Sequence, residues 1–208
     1  MTDGRSGETA VNAVGDLVLT DPEAMSALAD PVRLALHDEL RRHGPATIDE
    51  LAQRAGARPE IVRECLAMME RVGLVERREQ DGSHETRWAA IGKGFVFEIP
   101  EGPVGQAAAR ALSRTMIVRY ADLPHRWAVD DEPELEVEWA RAAGLLNARV
   151  LVTPEELCEI QHELERVIAP FLTREPDEVP AEATQVRLLS YFLPEASPRS
   201  GERARRQT

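Results

Sequence analysis

Residues 47–75 constrain the fold more than any other part of the chain, because they carry the start and stop signals of two successive helices. Thr47 and Glu50 form a T-x-x-E capping box, whose side chains satisfy the free backbone N–H groups of a helix start. Gly56 lies where that helix must end, since glycine adopts a positive φ at little cost. Pro59 begins a second helix at a position where its missing N–H costs nothing.

The contact positions of these two predicted helices have the pattern of a helix-turn-helix. Ala52 is small where the helices touch, Gly56 lies in the turn, and Val62 is a branched apolar residue that fixes the second helix. Such a unit presents the N-terminal half of its second helix to the major groove of DNA. The spacing therefore predicts a DNA-reading helix that begins at Pro59.

A β-hairpin is predicted directly after the second helix. Residues 74–79 and 84–89 have strand composition, and the Asp81-Gly82 pair between them is a hairpin turn signal. A helix-turn-helix followed by a hairpin is a winged helix. The predicted fold class is therefore mainly α with a small β part (α+β), made of a winged helix-turn-helix domain and a C-terminal extension.

The basic side chains of this hairpin are candidates for contacts with DNA phosphates or with the minor groove. They alternate along the strands with Glu76, Glu79 and Glu85, so they also suit an ordinary solvated hairpin. The candidates are Arg77, Arg78, His84 and Arg87.

The segment upstream adds a third motif. Asp30 and Pro31 have the residue types of an N-cap and a first helical position, within the sequence ALADPVRLAL. Together with the helix-turn-helix and the hairpin sequence GLVERRE…ETRWAA, this motif resembles the ArsR-type winged-helix transcriptional regulators over residues 19–92. The chain is most similar to the longer members, which have a C-terminal extension and no metal motif. The cysteine pair of the metal-sensing members is absent from the second helix.

The resemblance implies a homodimer that binds an inverted-repeat operator in double-stranded DNA and acts on nearby genes as a repressor or as an activator. Arg58 and Arg63 are then the candidates for bidentate contacts with guanine. For Glu60 we favour a solvent-facing or restraining role, because a carboxylate near the DNA backbone is unfavourable unless it is paired. The DNA-facing residues implied by the resemblance are Arg58, Pro59, Glu60, Ile61 and Arg63 in the helix, with Arg78, His84 and Arg87 in the hairpin.

The charge balance predicts weak non-specific binding to DNA. The chain has a formal net charge of -12, and residues 21–91 contain 10 basic and 14 acidic side chains. Since counterion release from phosphates drives non-specific binding, an acidic reader must depend on arginines gathered on one face. An alternative function is a winged-helix protein-interaction module, or an antagonist of another regulator, that does not itself read DNA.

The expected cellular compartment depends on the absence of membrane and secretion signals. It contains no apolar run that could span a membrane and no signal peptide, and both Cys65 and Cys158 fall inside predicted helices. This usage suits a reducing compartment, so we expect a cytoplasmic protein associated with the nucleoid.

The C-terminal half is predicted as a helical and strand–helix–strand extension. Helices are expected at 104–121, between Pro133 and Gly144, and after Thr153, and strands at 146–152 and 186–193. The expected organisation has four parts: a flexible arm (1–18), the winged helix-turn-helix domain (19–92), a dimerisation and effector region (93–194) and a disordered basic tail (195–208).

Other kinds of site have little support. Cys158, His162 and Glu165 share one flank of the last predicted helix, but a four-coordinate metal site needs further ligands that the sequence does not supply at matching spacing. No phosphate-binding loop, nucleophile elbow or dinucleotide motif is present, so no enzyme and no cofactor are predicted. An unidentified small-molecule effector remains a candidate partner of the C-terminal region.

Overall fold

A computed structural model describes residues 10–79 and 85–195. The chain divides into two units, residues 1–173 and residues 174–208. The elements of the first unit, within the described residues, are β1 (Leu17–Leu19), α1 (Pro22–Leu28), α2 (Pro31–His43), α3 (Ile48–Ala55), α4 (Pro59–Arg71), β2 (Val75–Glu79), β3 (Thr86–Ala90), β4 (Phe95–Phe97), α5 (Gly102–Tyr120), α6 (Leu123–Arg126), a π turn (Trp127–Asp131), a 3-10 turn (Glu132–Glu134), α7 (Val137–Ala142) and α8 (Pro154–Leu172).

The predicted helix boundaries at the N-terminal side are confirmed by their caps. The Asp30 side chain accepts hydrogen bonds from the N–H groups of Val32 (2.9 Å) and Arg33 (3.0 Å), and Pro31 is the first helical residue. The capping box is present in both directions, with Glu50 N–H donating to Thr47 Oγ1 (3.2 Å) and Thr47 N–H donating to Glu50 Oε2 (3.0 Å). These caps replace the backbone partners that the first turn of a helix lacks.

The core lies between the first four helices, the hairpin and one face of α5. Its fully buried side chains come from every one of these helices, so burial of their apolar stripes holds the winged-helix part together. Trp88 joins the hairpin to this core, because its N–H and C=O exchange hydrogen bonds of 2.8 and 2.9 Å with Ala46. The largest buried side chains include Leu28, Leu34, Leu36, Leu51, Leu66, Met69, Leu74 and Leu112.

Helix α1 and strand β1 are among the elements of this unit that were not predicted. Helix α1 begins at Pro22 after an Asp21 cap, and β1 lies partly in the segment expected to be a flexible arm. Strand β1 pairs in parallel with β4, with Leu17 opposite Phe95. The approach is close at Gly92, where a Cβ atom would lie 2.8 Å from the backbone nitrogen of Leu17. Gly92 also has a φ of +78°, so the turn before β4 needs a glycine.

The predicted helices of the C-terminal half are found, but its two strands are not. Helix α5 covers the predicted 104–121 segment, and α8 begins at the Thr153 capping box. The predictions of strands at 146–152 and 186–193 were wrong, since no strand forms there. A strand needs a hydrogen-bonded neighbour, and these segments are exposed instead, with Leu146 94% accessible. The second unit contains a 3-10 turn (Pro176–Glu178) and extended chain in its described part.

Candidate nucleic-acid interface

The α3–α4 pair has the packing that the sequence pattern predicts. Ala52 and Val62 are both buried where the two helices meet. Gly56 ends α3 in the left-handed conformation, with φ 61° and ψ 32°, and the following N–H of Ala57 donates to the Ala52 carbonyl at 3.0 Å. This turn reverses the chain tightly enough for Pro59 to begin α4.

The start of α4 exposes part of the predicted DNA-reading set. Arg58, Glu60 and Arg63 are exposed, whereas Pro59 and Ile61 are half-buried. Ile61 packs against the core, so its side chain supports the helix from beneath. Among the described residues, no hydrogen bond or ion pair engages the guanidinium of Arg58 or Arg63. Two arginines are therefore available at the exposed start of α4.

The hairpin follows α4 as an antiparallel pair. Arg77 lies opposite Trp88, and Arg78 lies opposite Arg87. A helix-turn-helix whose second helix is followed by an antiparallel hairpin defines one particular fold. The fold is a winged helix-turn-helix. Residues 80–84, between β2 and β3, are outside the described residues, and so is the predicted contact residue His84.

The three wing arginines differ in their partners. The guanidinium of Arg77 stacks over the Trp88 ring, 4.9 Å from its centroid, and donates to Glu70 Oε2 at 2.8 Å. Arg78 donates to Glu76 Oε1 at 2.8 Å on the exposed edge of the wing. Arg77 thus joins the wing to the end of α4, whereas the ion pair of Arg78 with Glu76 lies within β2.

Arg87 holds the wing to the start of α3. It donates to the Pro45 carbonyl at 3.1 and 3.3 Å and to Glu50 Oε2 at 2.8 Å. The Thr47 backbone N–H and then the Arg87 charge lower the pKa of Glu50 below its ordinary value, so Glu50 carries the negative charge that Arg87 requires. Sequence reasoning had found the capping role of Glu50 but not its second role as an anchor for the wing.

Carboxylates lie close to each candidate DNA contact. Glu60 and Glu64 flank Arg63 on the exposed side of α4, and Glu70 and Glu76 pair with wing arginines. Negative charge beside these arginines lowers the attraction of this surface for other anions.

The three candidate metal ligands of the last helix do not form a metal site in the described residues. Cys158, His162 and Glu165 are exposed on α8. In the part of the chain that the structure describes, no three His, Cys, Asp or Glu side chains are placed to hold a metal ion. Across those same residues, no helix combines the length and apolar character needed to cross a membrane.

A family model described as HVO_A0114 matches residues 20–91, about a third of the chain. No curated protein gives a significant match.

Similar solved structures include the YusO protein from Bacillus subtilis, with 14% identity and a TM-score of 0.31 over 70% of this chain and 82% of that one. RV1404 from Mycobacterium tuberculosis has 15% identity and a TM-score of 0.29 over 72% and 79% of the two chains. A MarR family transcription regulator, SP03579, has 16% identity and a TM-score of 0.30 over 74% and 82%. The fold is identified by the geometry of α3, α4 and the wing.

Proposed function

We propose that this protein is a sequence-specific DNA-binding transcription regulator that acts as a homodimer on an inverted-repeat operator. The observation that carries the proposal is the exposed start of α4, where Arg58 and Arg63 lie without intramolecular partners among the described residues. A winged helix places this part of its second helix in the major groove, where arginine forms two hydrogen bonds with guanine. Arg78 and the wing tip, which includes His84, contact the adjacent backbone.

Within this proposal, the protein is an ArsR-type regulator that represses its targets. The support comes from the ALADPVRLAL segment, which forms the capped start of α2, and from the wing sequence that follows α4. A repressor of this kind acts in the cytoplasm on the nucleoid. Residues 93–194 supply the dimer contacts, and an unidentified small molecule is a candidate effector of that region.

The test is selection of binding sites from a random DNA pool, followed by titration of the selected site at several salt concentrations. We expect an enriched palindrome whose half-sites are about one helical turn apart, because the two second helices of a dimer lie in successive major grooves. We also expect affinity to fall steeply with salt through phosphate contacts. A folded dimer that enriches no site would overturn the proposal.

A second candidate is a protein-interaction module or an antagonist of another regulator. It is favoured by one observation: Arg77, Arg78 and Arg87 are each paired with a carboxylate, so the described part of the wing offers little unpaired positive charge. The same selection experiment separates the two functions. An antagonist enriches no DNA, and its addition releases a partner regulator from that regulator's own operator.

A further inference from the structure

Helix α5 has an uncovered apolar face. An adjacent face of the same helix joins the core through Ala108, Ala109 and Leu112. The outward face and α1 form an open groove in which Val104 is 74% exposed. We call this the α1–α5 groove; its lining includes Ser26, Pro103, Val104, Ala107 and Ala111.

Helix α8 has the complementary kind of surface. Its large apolar side chains recur at helical spacing, yet none of its residues is buried. Val167 is 64% exposed, and Ile160 and Leu164 are also exposed. We call these three residues the α8 stripe. A stripe of branched side chains fits a groove lined by alanine and serine, because small residues let the backbone of a second helix approach closely.

The charges beside the two surfaces are opposite. Helix α5 carries Arg110, Arg114 and Arg119 and no acidic residue. Helix α8 carries five glutamates and one arginine. On a helical wheel, Arg110 and Arg114 flank the α5 face of the groove, and Glu156 and Glu163 flank the α8 stripe. Placing α8 in the groove therefore brings opposite charges to its border.

Both surfaces are open in the same chain. The Lys93 ammonium donates to the Leu172 carbonyl at 3.2 Å, which holds the C-terminal end of α8 beside the start of β4. With that end held, the groove of this chain remains uncovered. A two-fold pair of chains can cover all four surfaces at once, since each chain offers one groove and one stripe.

We propose that the α8 stripe of one chain docks in the α1–α5 groove of a second copy, and the reverse, to form the dimer. This inference rests on the homodimer of the proposed function and adds the surfaces that form it. The occupant is a second copy because its stripe matches the groove in apolar character and in the sign of the bordering charges. In the dimer, α8 crosses from one winged helix to the α5 of the other.

Cysteine cross-linking between two different chains tests this arrangement. In a Cys158→Ser background, one chain carries Ala111→Cys and a larger, tagged chain carries Ile160→Cys, Leu164→Cys or Val167→Cys. Disulfides form when the Cα atoms are about 4.4–6.8 Å apart, so we expect one of the three mixtures to give a covalent heterodimer under mild oxidation. His162→Cys, on the opposite side of α8 from the stripe, is the matched control and is expected to give none.

The doubly substituted chain, Ala111→Cys with Leu164→Cys, separates the two ways of filling the groove. A product of twice the chain mass supports docking between copies. A cross-link within one chain, at the mass of a monomer, would mean that α8 closes its own groove and would overturn the proposal. Absence of either product in all three pairings, for protein that is dimeric in solution, would overturn it as well.

Charge reversal gives an independent readout in the unmodified chain. We expect Arg114→Glu to weaken the dimer by roughly tenfold in sedimentation equilibrium, because two equivalent ion pairs are replaced by repulsion. The combination with Glu163→Arg is expected to restore it. If neither substitution alters dimer affinity and the protein still selects an operator, this interface is refuted and the proposed function stands. If the cross-linked dimer forms but selects no DNA, the interface stands and the proposed function is overturned.

Discussion

Arg87 on β3 and Glu50 on α3 form an ion pair at 2.8 Å that joins the wing to the start of the helix-turn-helix. The same Glu50 oxygen accepts from the Thr47 N–H, so one carboxylate completes a helix cap and anchors a strand. This ion pair fixes β3 of the wing to α3, the first helix of the motif. A second ion pair, between Arg77 and Glu70, fixes β2 to the end of α4.

Removal of Glu50 should therefore cost more stability than removal of Arg87. We expect Glu50→Ala to lower the free energy of unfolding by about 1–2 kcal/mol, because it removes a cap and a salt bridge. Arg87→Ala should cost less than about 1 kcal/mol, since the pair is partly exposed to solvent. Urea denaturation of both single variants and the double variant measures the coupling. Equal losses from the two single variants would contradict the double role of Glu50.

Arg63 should read a base. We expect Arg63→Ala to weaken specific binding by about 1–3 kcal/mol and to relax base preference at one position of each half-site. Arg71→Ala is the matched control, because Arg71 lies in the last turn of the same helix and pairs with Glu23 at 3.0 Å. Fluorescence anisotropy with the selected operator and its single-base variants measures both effects. Unchanged affinity and preference in Arg63→Ala would remove this residue from the reading set.

Arg78 should contact the DNA backbone in competition with Glu76. Arg78→Ala is expected to weaken binding equally for all sequences and to reduce the salt slope by about 1. Glu76→Gln should strengthen binding, because it releases the guanidinium of Arg78 and removes a negative charge from the wing. Glu134→Gln changes the net charge equally and lies outside the winged helix, so it serves as the control. A gain of affinity in the control as large as in Glu76→Gln would show a general charge effect.

His37 should make the fold sensitive to acid. Its imidazole is fully buried, neither ring nitrogen has a hydrogen-bond partner among the described residues, and the ring stands edge-on to Phe95 at 5.6 Å. Burial, followed by the Arg41 charge, lowers the pKa of His37 from 6.5 to about 4. The Asp38 charge and the Leu74 backbone act in the opposite direction with smaller effect.

Between pH 4 and pH 6.5, the imidazole of His37 is therefore protonated in the unfolded chain and neutral in the folded chain. Stability from His37 is complete above pH 6.5 and declines as the pH falls toward 4, by a total on the order of 3 kcal/mol. Thermal unfolding from pH 7.5 to 4.5 measures the slope, which His37→Phe should flatten. His125→Gln, at an exposed position, should leave it unchanged. The same slope in His37→Phe would assign the acid sensitivity to other groups.

Asp38 should be needed to hold α5 on α2. It accepts from Arg119 Nε at 2.5 Å and from the Tyr120 hydroxyl at 2.9 and 3.0 Å. Burial and then the Asp38 charge raise the pKa of Tyr120 to about 12, so this hydroxyl is a donor throughout the neutral range. We expect Asp38→Ala to cost about 1–3 kcal/mol, because it removes the carboxylate that accepts hydrogen bonds from both Arg119 and Tyr120.

Urea denaturation measures this loss, and Glu39→Ala, which removes the neighbouring carboxylate that pairs with His43, is the control. A loss in Asp38→Ala no larger than that of the control would mean that apolar packing alone holds α5.

The sequence by itself determined the local elements of the winged helix. The caps at Asp30 and Thr47, the turn at Gly56 and the start at Pro59 are confirmed because each depends on residues within one helical turn of each other. The start of α8 at Thr153 was predictable for the same reason. The apolar stripes of α4 and α8 were likewise visible as patterns, although only one of them is buried within the chain.

Tertiary structure decided everything that depends on distant partners. Apolar composition predicted strands at 146–152 and 186–193, but a strand forms only where another strand supplies its hydrogen bonds, and none is adjacent. Pairing of Arg87 with Glu50 joins residues 37 positions apart, and pairing of Arg77 with Glu70 joins two different elements, so neither could be predicted from helix or strand spacing. These contacts determine which arginines stay available at the exposed start of α4 and which hold the wing in place.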